Sequence, residues 1–307
     1  MTSINTNRAA MTALASLNAT QMRLDATQQR ISTGLRVGSA QDNAAYWSIA
    51  TTMKSDNSSL STVKDALGLG AATVDVSYTA VNSVITVAQQ IKDKLVAALQ
   101  PGVDRNKIQA EITQLQNQMK STADSATFSG SNWLSEDSTS ASYNATKSIV
   151  SSFQRDANGI NIQTITFDGN TSKLYDAGNQ TGILDSVHTT TNGNVAYSVS
   201  NLDISAMTDS PADTADLKEM IKTVDDALGS MTTSAANLGA MKTRIDSQSS
   251  FITSLMDAIT RGVGTLVDAD MTAESTKLQA LQVQQQLGTQ ALSIANQSSQ
   301  SILSLFK

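Results

Sequence analysis

Residues 49–98 read "IATTMKSDNSSLSTVKDALGLGAATVDVSYTAVNSVITVAQQIKDKLVAA". Ile49, Met53, Leu60, Val63, Leu67, Val74, Val81, Val84, Ala88, Ile91, Leu95 and Ala98 keep a 3.5-residue period, and Asp56, Gly70 and Ser77 fill the remaining seam positions. A strand would alternate every two residues, so the stretch predicts one uninterrupted helix. Seven heptads at about 1.5 Å per residue give a helix of roughly 75 Å, which Pro101-Gly102 ends. A seam on a single helix buries nothing by itself and needs a partner.

The rest of the chain supplies partners. Ile108, Ile112, Leu115, Met119 and Thr122 predict a shorter helix returning antiparallel. Ser210-Pro211-Ala212-Asp213 gives an N-cap, a proline at the first helical position and a carboxylate at the third. Leu217, Ile221, Val224, Leu228, Met231, Ala235, Leu238, Ile245, Ile252, Met256 and Ile259 then carry a second long seam. A strict seven-residue repeat implies a left-handed supercoil. Ahead of the first long helix, Ser39 and Asp42 have capping-box spacing, with Ser39 as N-cap.

Both chain ends are helical and nearly free of charge. Residues 278–306 contain no formal charge, and residues 1–22 contain only Arg8. Leu14, Leu17, Gln21, Leu24, Gln28 and Ile31 keep a three-four spacing near the start. Near the end, Leu281, Gly288, Leu292, Ala295 and Ile302 form one seam, and Leu287, Ala291, Ile294 and Leu305 a second beside it. Two adjacent seams point to a helix with several neighbours, against the plainer alternative of a core helix buried within one chain. Gly34 and Gly38 are expected to break the first helix, and Gly262 and Gly264 to make the matching break before the last. Terminal helices of similar length, broken at similar depth, can pair antiparallel.

Residues 131–209 are rich in Ser, Thr, Asn, Asp and Gly. "SIVSSFQRDANGINIQTITFD" reads as a hairpin, with Asn158-Gly159 suited to a type I′ turn, and "NVAYSVSNLDIS" as a further strand. Residues 170–195, without an apolar period, are expected to carry little core. The fold class is therefore mainly α: a long antiparallel coiled-coil rod formed by the N- and C-terminal regions, with a small β-rich insertion at its distal end. The expected domains are 1–42 with 265–307 (paired terminal helices), 43–130 with 211–264 (rod), and 131–210 (insertion).

Composition narrows function. The 307 residues carry a net charge of −6, 4% aromatics, two prolines and no cysteine. No basic cluster marks a nucleic-acid surface, and thiolate metal sites and disulfides are excluded. The glutamines and serines that interrupt 278–306 argue against membrane insertion. The first residues lack the basic and apolar regions of a cleaved signal peptide. His188 is the one imidazole, and a lone loop histidine is most simply a surface residue. Asp268, Asp270 and Glu274 fit the acidic first turn of a helix better than a cation site. No phosphate-binding glycine loop follows a strand. The reading is of a protein that is not an enzyme and takes no cofactor or metal.

Three stretches carry a resemblance to a known family. "SINTNRAAMTALASLNATQ", "QQRISTGLRVGSAQDNAAYWSIATTM" and "NLGAMKTRIDSQSSFITSLMDAITRGVGTLVDADMTAESTKLQALQVQQQLGTQALSIANQ" closely resemble bacterial flagellin, over roughly 1–130 and 211–307. The wording of "DNAAYWSIATTMKSDN" is similar to the alphaproteobacterial, rhizobium-type branch. The resemblance implies an extracellular filament subunit for swimming motility, exported unfolded by the flagellar type III system without a cleaved signal. It implies self-assembly, with Leu14, Leu17, Leu24, Ile31, Leu281, Leu287, Leu292, Ile294, Ile302 and Leu305 at the interface. Implied partners are further copies of the chain, other flagellins that co-assemble, an export chaperone, a filament cap and hook–filament junction proteins. A junction protein of the same superfamily shares the terminal pattern and is the alternative; an intracellular coiled-coil scaffold would leave the uncharged ends without a reason. Lys92 and Lys94 stand where flagellins sensed by the vertebrate Toll-like receptor carry arginine and leucine. Tyr46-Trp47-Ser48 departs from the glycine-leucine-glutamine read by the plant receptor, so both departures weigh against immune-receptor activation.

Overall fold

A computed structural model describes residues 6–156 and 159–304, the side chains of 298–304 excepted. Among the described residues there are five α-helices: α1 (Arg8–Thr33), α2 (Ala44–Ala98), α3 (Arg105–Ser125), α4 (Pro211–Val267) and α5 (Met271–Ser304). Between α3 and α4 lie short strands β1 (Thr127–Phe128), β2 (Ser131–Asn132) and β3 (Ser135–Glu136), a long pair β4 (Thr146–Asp156) and β5 (Gly159–Asp168), and then β6 (Tyr175–Asp176), β7 (His188–Thr189) and β8 (Ala196–Tyr197). The chain divides into two compact units, 1–58 with 256–307, and 59–255. The protein is thus mainly helical, with long helices toward both ends and a small sheet-containing insertion.

In the unit 59–255 the heptad seam of α2 is the buried line: Leu60, Val63, Leu67, Gly70, Val74, Ser77, Val81, Val84, Ala88, Ile91, Leu95 and Ala98 are all buried. Leu217, Val224, Met231, Leu238, Ile245 and Ile252 are buried along α4. The two helices run antiparallel. Asp75 pairs with Lys242 and Lys92 with Asp225, so stepping forward along one helix steps back residue for residue along the other. Between these ion pairs the Tyr78 ring lies 3.8 Å from where a Cβ on Gly239 would sit. Arg105, itself buried, closes the turn into α3. Its guanidinium donates to the Ala98 carbonyl (3.1 Å) and to Asp209 (2.7 Å), which also accepts the Gly102 N–H (3.0 Å). Lys94 pairs with Glu111 across the same turn. Ser210 caps α4 by accepting the Asp213 N–H at 3.1 Å, as its sequence predicts.

Among the described residues the insertion has two-stranded ladders: β1–β2, β4–β5 and β7–β8 antiparallel, and β3–β6 parallel. The hairpin β4–β5 is present, with a bulge between Val150 and Ser152. Its register pairs Asp156 with Gly159; of the expected Asn158-Gly159 turn, Asn158 lies outside the described residues. Gly159 begins the return strand with φ +125°. The expected strand over 194–205 shrinks to Ala196–Tyr197. Tyr197, Val199, Leu202 and Ile204 are nevertheless buried, and their backbone is held by α3: Gln116 donates to the Val199 and Leu202 carbonyls (3.2 and 3.1 Å). His188 lies exposed in β7, 6.1 Å from the Tyr197 ring.

Residues 170–195 hold more core than their polarity implies. Leu174, Tyr175 and Leu184 are buried, together with a charged network. Lys173 donates to Asp176 (2.7 Å) and Thr181 (2.9 Å), and Asp176 also accepts the Thr181 hydroxyl and the Ser138 N–H. Burial opposes ionisation of Asp176, but the Lys173 ammonium, the Thr181 hydroxyl and Ser138 together hold its carboxyl far below the usual range. Beside it, Asp185 is pushed up by burial, against the N–H groups of Asp176 and Gly182 that it accepts. Polar sequence supports this core because its charges are paired and its backbone is satisfied.

In the unit formed by 1–58 and 256–307, α1 ends at Gly34, whose φ of +72° suits a left-handed cap and whose N–H donates to the Arg30 carbonyl. Gly38 lies in the following loop. The Ser39–Asp42 pair is not the helix cap expected of it. Asp42 instead reaches back to accept the N–H groups of Gly38 and Ser39 and the Ser39 hydroxyl, which lower its pKa, while Asn43 caps α2 by accepting the Tyr46 N–H. The return break is also displaced. Gly262 and Gly264 lie inside α4, and the helix ends at Val267. Glycine costs an interior helical position only about 1 kcal/mol. Here Val263 and Val267 pack on Val37 and Ala50 and carry the helix through. Asp270 then starts α5 by accepting the Thr272 and Ala273 N–H groups, with Glu274 in the first turn. The two breaks are joined to each other: Leu35 bridges Asp268, and the Ala269 N–H donates to the Gly34 carbonyl.

Candidate self-association surface

α1 and α5 pair antiparallel along their whole shared length. The Asn7 side chain donates to the Ala295 carbonyl (2.9 Å), Gln285 to Gln21 (2.7 Å) and Arg30 to Glu274 (3.2 Å), while Leu17 packs on Gly288. Leu24 and Leu281 are each only 5% exposed in this seam. Leu17, Ile31 and Leu292 flank them, part-buried. The pair has little charge to spare, and the cross-helix ion pair Arg30–Glu274 is half-buried, with 33% of the Arg30 side chain and 12% of Glu274 exposed. The Thr27 hydroxyl and one Glu274 oxygen are buried with no hydrogen-bond partner among the described residues.

The opposite faces stay open. On α1, Met11 and Met22 (67%) project to solvent, with Leu14 on the flank; on α5, Val283, Leu287 and Ile294 (67%) do the same. At about 100° per residue these stripes stand about 120–160° round each helix from Leu24 and Leu281. The two C-terminal seams therefore have different fates. Leu281, Gly288, Leu292 and Ala295 face α1, and Leu287, Ala291 and Ile294 face out. Of the two remaining positions expected at the interface, Ile302 lies in α5 without a described side chain, and Leu305 is outside the described residues. The helix pair thus carries apolar side chains on two sides, one packed within the chain and one open to solvent.

Sequence reasoning missed part of this surface. Met11 and Met22 lie eleven residues apart, three helical turns on one line, but the stronger Leu17–Leu24–Ile31 spacing conceals them. Tyr46, Trp47 and Ile49 at the start of α2 are also exposed. Their neighbours Ala50 and Met53 pack on the Val263–Val267 side of α4, so one partner helix covers only the middle of a wider apolar arc. Among the described residues no group of three metal-binding side chains converges and no helix is long and apolar enough to cross a membrane.

Comparison with known proteins bears on the same elements. The bacterial flagellin N-terminal helical region matches residues 4–139, and the bacterial flagellin C-terminal helical region matches 221–306. Flagellin C of Rhizobium meliloti (strain 1021) is 50% identical over 323 aligned residues, covering 100% of both chains. A flagellin of Brucella melitensis is 46% identical over 308, again covering 100% of both. A solved Vibrio parahaemolyticus chain described as a flagellar hook-associated protein matches with a TM-score of 0.53 at 14% identity, over 74% of this chain and 100% of its own; that likeness shows the fold alone.

Proposed function

Because this chain belongs to the bacterial flagellin family, we propose that the outward stripes of α1 and α5 are where one copy meets the next as the chain polymerises into the flagellar filament. The family is one of structural filament subunits. The finer reading adds that the filament is the swimming propeller, that the chain leaves the cell through the flagellar type III channel without a cleaved signal, and that a chaperone, a cap, junction proteins and other flagellins are its partners. The alternative of a junction protein is weaker, since the relatives aligned over the full length are flagellins.

The observation that carries the assembly reading is the exposure of Leu287 and Ile294 opposite the face that Leu281 already gives to α1. Neighbouring copies supply the missing cover. Scarce charge at both ends serves the same end, since stacked identical subunits would otherwise bring like charges together away from water. The test is a double substitution, Leu287→Ser with Ile294→Ser. Monomer helicity and thermal stability should stay near those of the unsubstituted chain, because both side chains are exposed, while electron microscopy of purified protein should find filaments lost or sharply reduced. Long filaments at normal yield would refute the assignment.

A further inference from the structure

The hairpin of the insertion carries an exposed apolar patch, and a recess with an apolar side lies between the insertion and α2; one chain cannot bring the two together. The base of the hairpin is packed: Ile149 and Ile165, a cross-strand pair, are buried, with Ile149 against the bare backbone of Gly70. Beyond the bulge at Ser151 the opposite face of the ribbon gathers three apolar side chains, with the Arg155 guanidinium 5.9 Å from the Phe153 ring centroid. Ile160 (59% exposed) and Ile162 (58%) lie two apart on β5, and Phe153 sits directly across from Ile162. The recess runs along the free edge of β4 beside α2. It has a volume of about 460 Å³; Leu69 (60% exposed), Ala66, Phe128 and Val150 give it an apolar side, and Thr73, Ser129, Asn144 and Lys147 are among the polar residues that complete the lining. No β5 residue lines it. A chain's own Ile160 and Ile162 are held on the far strand by the hairpin register, so they cannot enter.

We infer that the hairpin end of one copy, with Ile160, Ile162 and Phe153, seats in the recess beside Leu69 of an adjacent copy in the filament. Area decides the occupant. Three such side chains offer on the order of 200–400 Å², against about 800 Å² per partner in a stable free complex. A free protein would not stay bound to so small a patch. A copy already held alongside by another contact meets it at high effective concentration, and a small apolar contact then suffices. Projection and recess are different surfaces, so the contact is head-to-tail and propagates along an open helical array rather than closing a dimer. The inference rests on the filament reading above.

The chain contains no cysteine, so introduced thiols report the contact alone. Filaments of a Leu69→Cys, Ile162→Cys double variant, mildly oxidised, should give a ladder of covalent multimers on a non-reducing gel. Each single variant, and the double variant as monomer, should give none. Dimers from Ile162→Cys alone would overturn the head-to-tail contact, as would intact filaments of the double variant with no ladder. An unsubstituted chain that forms no filament would instead sink the filament reading itself. A second variant, Ile160→Ser with Ile162→Ser, covers the case in which the thiols impair assembly. Its filaments should dissociate at a lower temperature than unsubstituted ones while monomer melting is unchanged; unaltered filament dissociation would overturn the proposal.

Discussion

Replacing Gly70 by alanine should destabilise the protein relative to the same change two residues earlier. Gly68 and Gly70 are both interior to α2, so removing glycine's backbone freedom should gain about 0.5–1 kcal/mol at either position. Nothing lies within 4 Å of a Cβ built on Gly68. A Cβ on Gly70 would stand 2.8 Å from Cδ1 and 3.0 Å from Cγ1 of Ile149, with Cγ2 nearer still. Overpacking a tight contact costs about 1–3 kcal/mol. Gly68→Ala should therefore stabilise by about 0.5–1 kcal/mol, and Gly70→Ala should lie about 1–3 kcal/mol below it, since the backbone contribution cancels in the comparison. Gly229→Ala, in α4 with open space around it, is a second control. The assay is urea unfolding of monomer followed by the fluorescence of Trp133, which stacks on Phe167 in the insertion, in a Trp47→Phe background. Ile149→Ala removes all three clashing carbons, so in that background Gly70→Ala should become as favourable as Gly68→Ala. If Gly70→Ala stabilises the unmodified chain as much as Gly68→Ala does, Ile149 does not rest on the helix.

Other outcomes follow from the same geometry. Asp176 has a lowered pKa, so its stabilisation is complete above the unfolded value near 3.8 and is lost as pH falls through the folded one; Trp133 fluorescence should report acid loosening of the insertion below about pH 4. Asp176→Asn should remove that acid step but cost on the order of 3–5 kcal/mol at neutral pH, because it leaves the buried Lys173 without its counter-charge, and a smaller loss in denaturant titration would argue against the network. Trypsin should nick the monomer first after Arg36, in the loop behind Gly34, and then after Lys277, leaving a 37–277 fragment by intact mass; cleavage after Arg261 at a similar rate would contradict a continuous α4. A short tag should be tolerated after Asn194, in the exposed loop between β7 and β8, and should disrupt the insertion after Gly178, whose Cβ position is 2.6 Å from Thr139; circular dichroism and Trp133 fluorescence of the two tagged chains separate the cases.

The sequence by itself determined the helices and their inward lines. The 3.5-residue period from Leu60 to Ala98 is the buried line of α2, because a repeating apolar spacing leaves the helix only one face to bury. Ser210 and Gly34 act locally, and their roles as cap and break depend on a few neighbouring residues. Tertiary structure decided where local signals compete. Whether Gly262 and Gly264 break a helix depended on Val263 and Val267 finding Val37 and Ala50, residues more than 200 positions away. Which of two adjacent seams on α5 faces α1 depended on Leu17 meeting Gly288 and Gln21 meeting Gln285, since both seams read as equally apolar in the string. The core around Lys173 and Asp176 was hidden for the same reason. A charge can be buried only when its partner is placed beside it, and hydropathy along a chain does not record that placement.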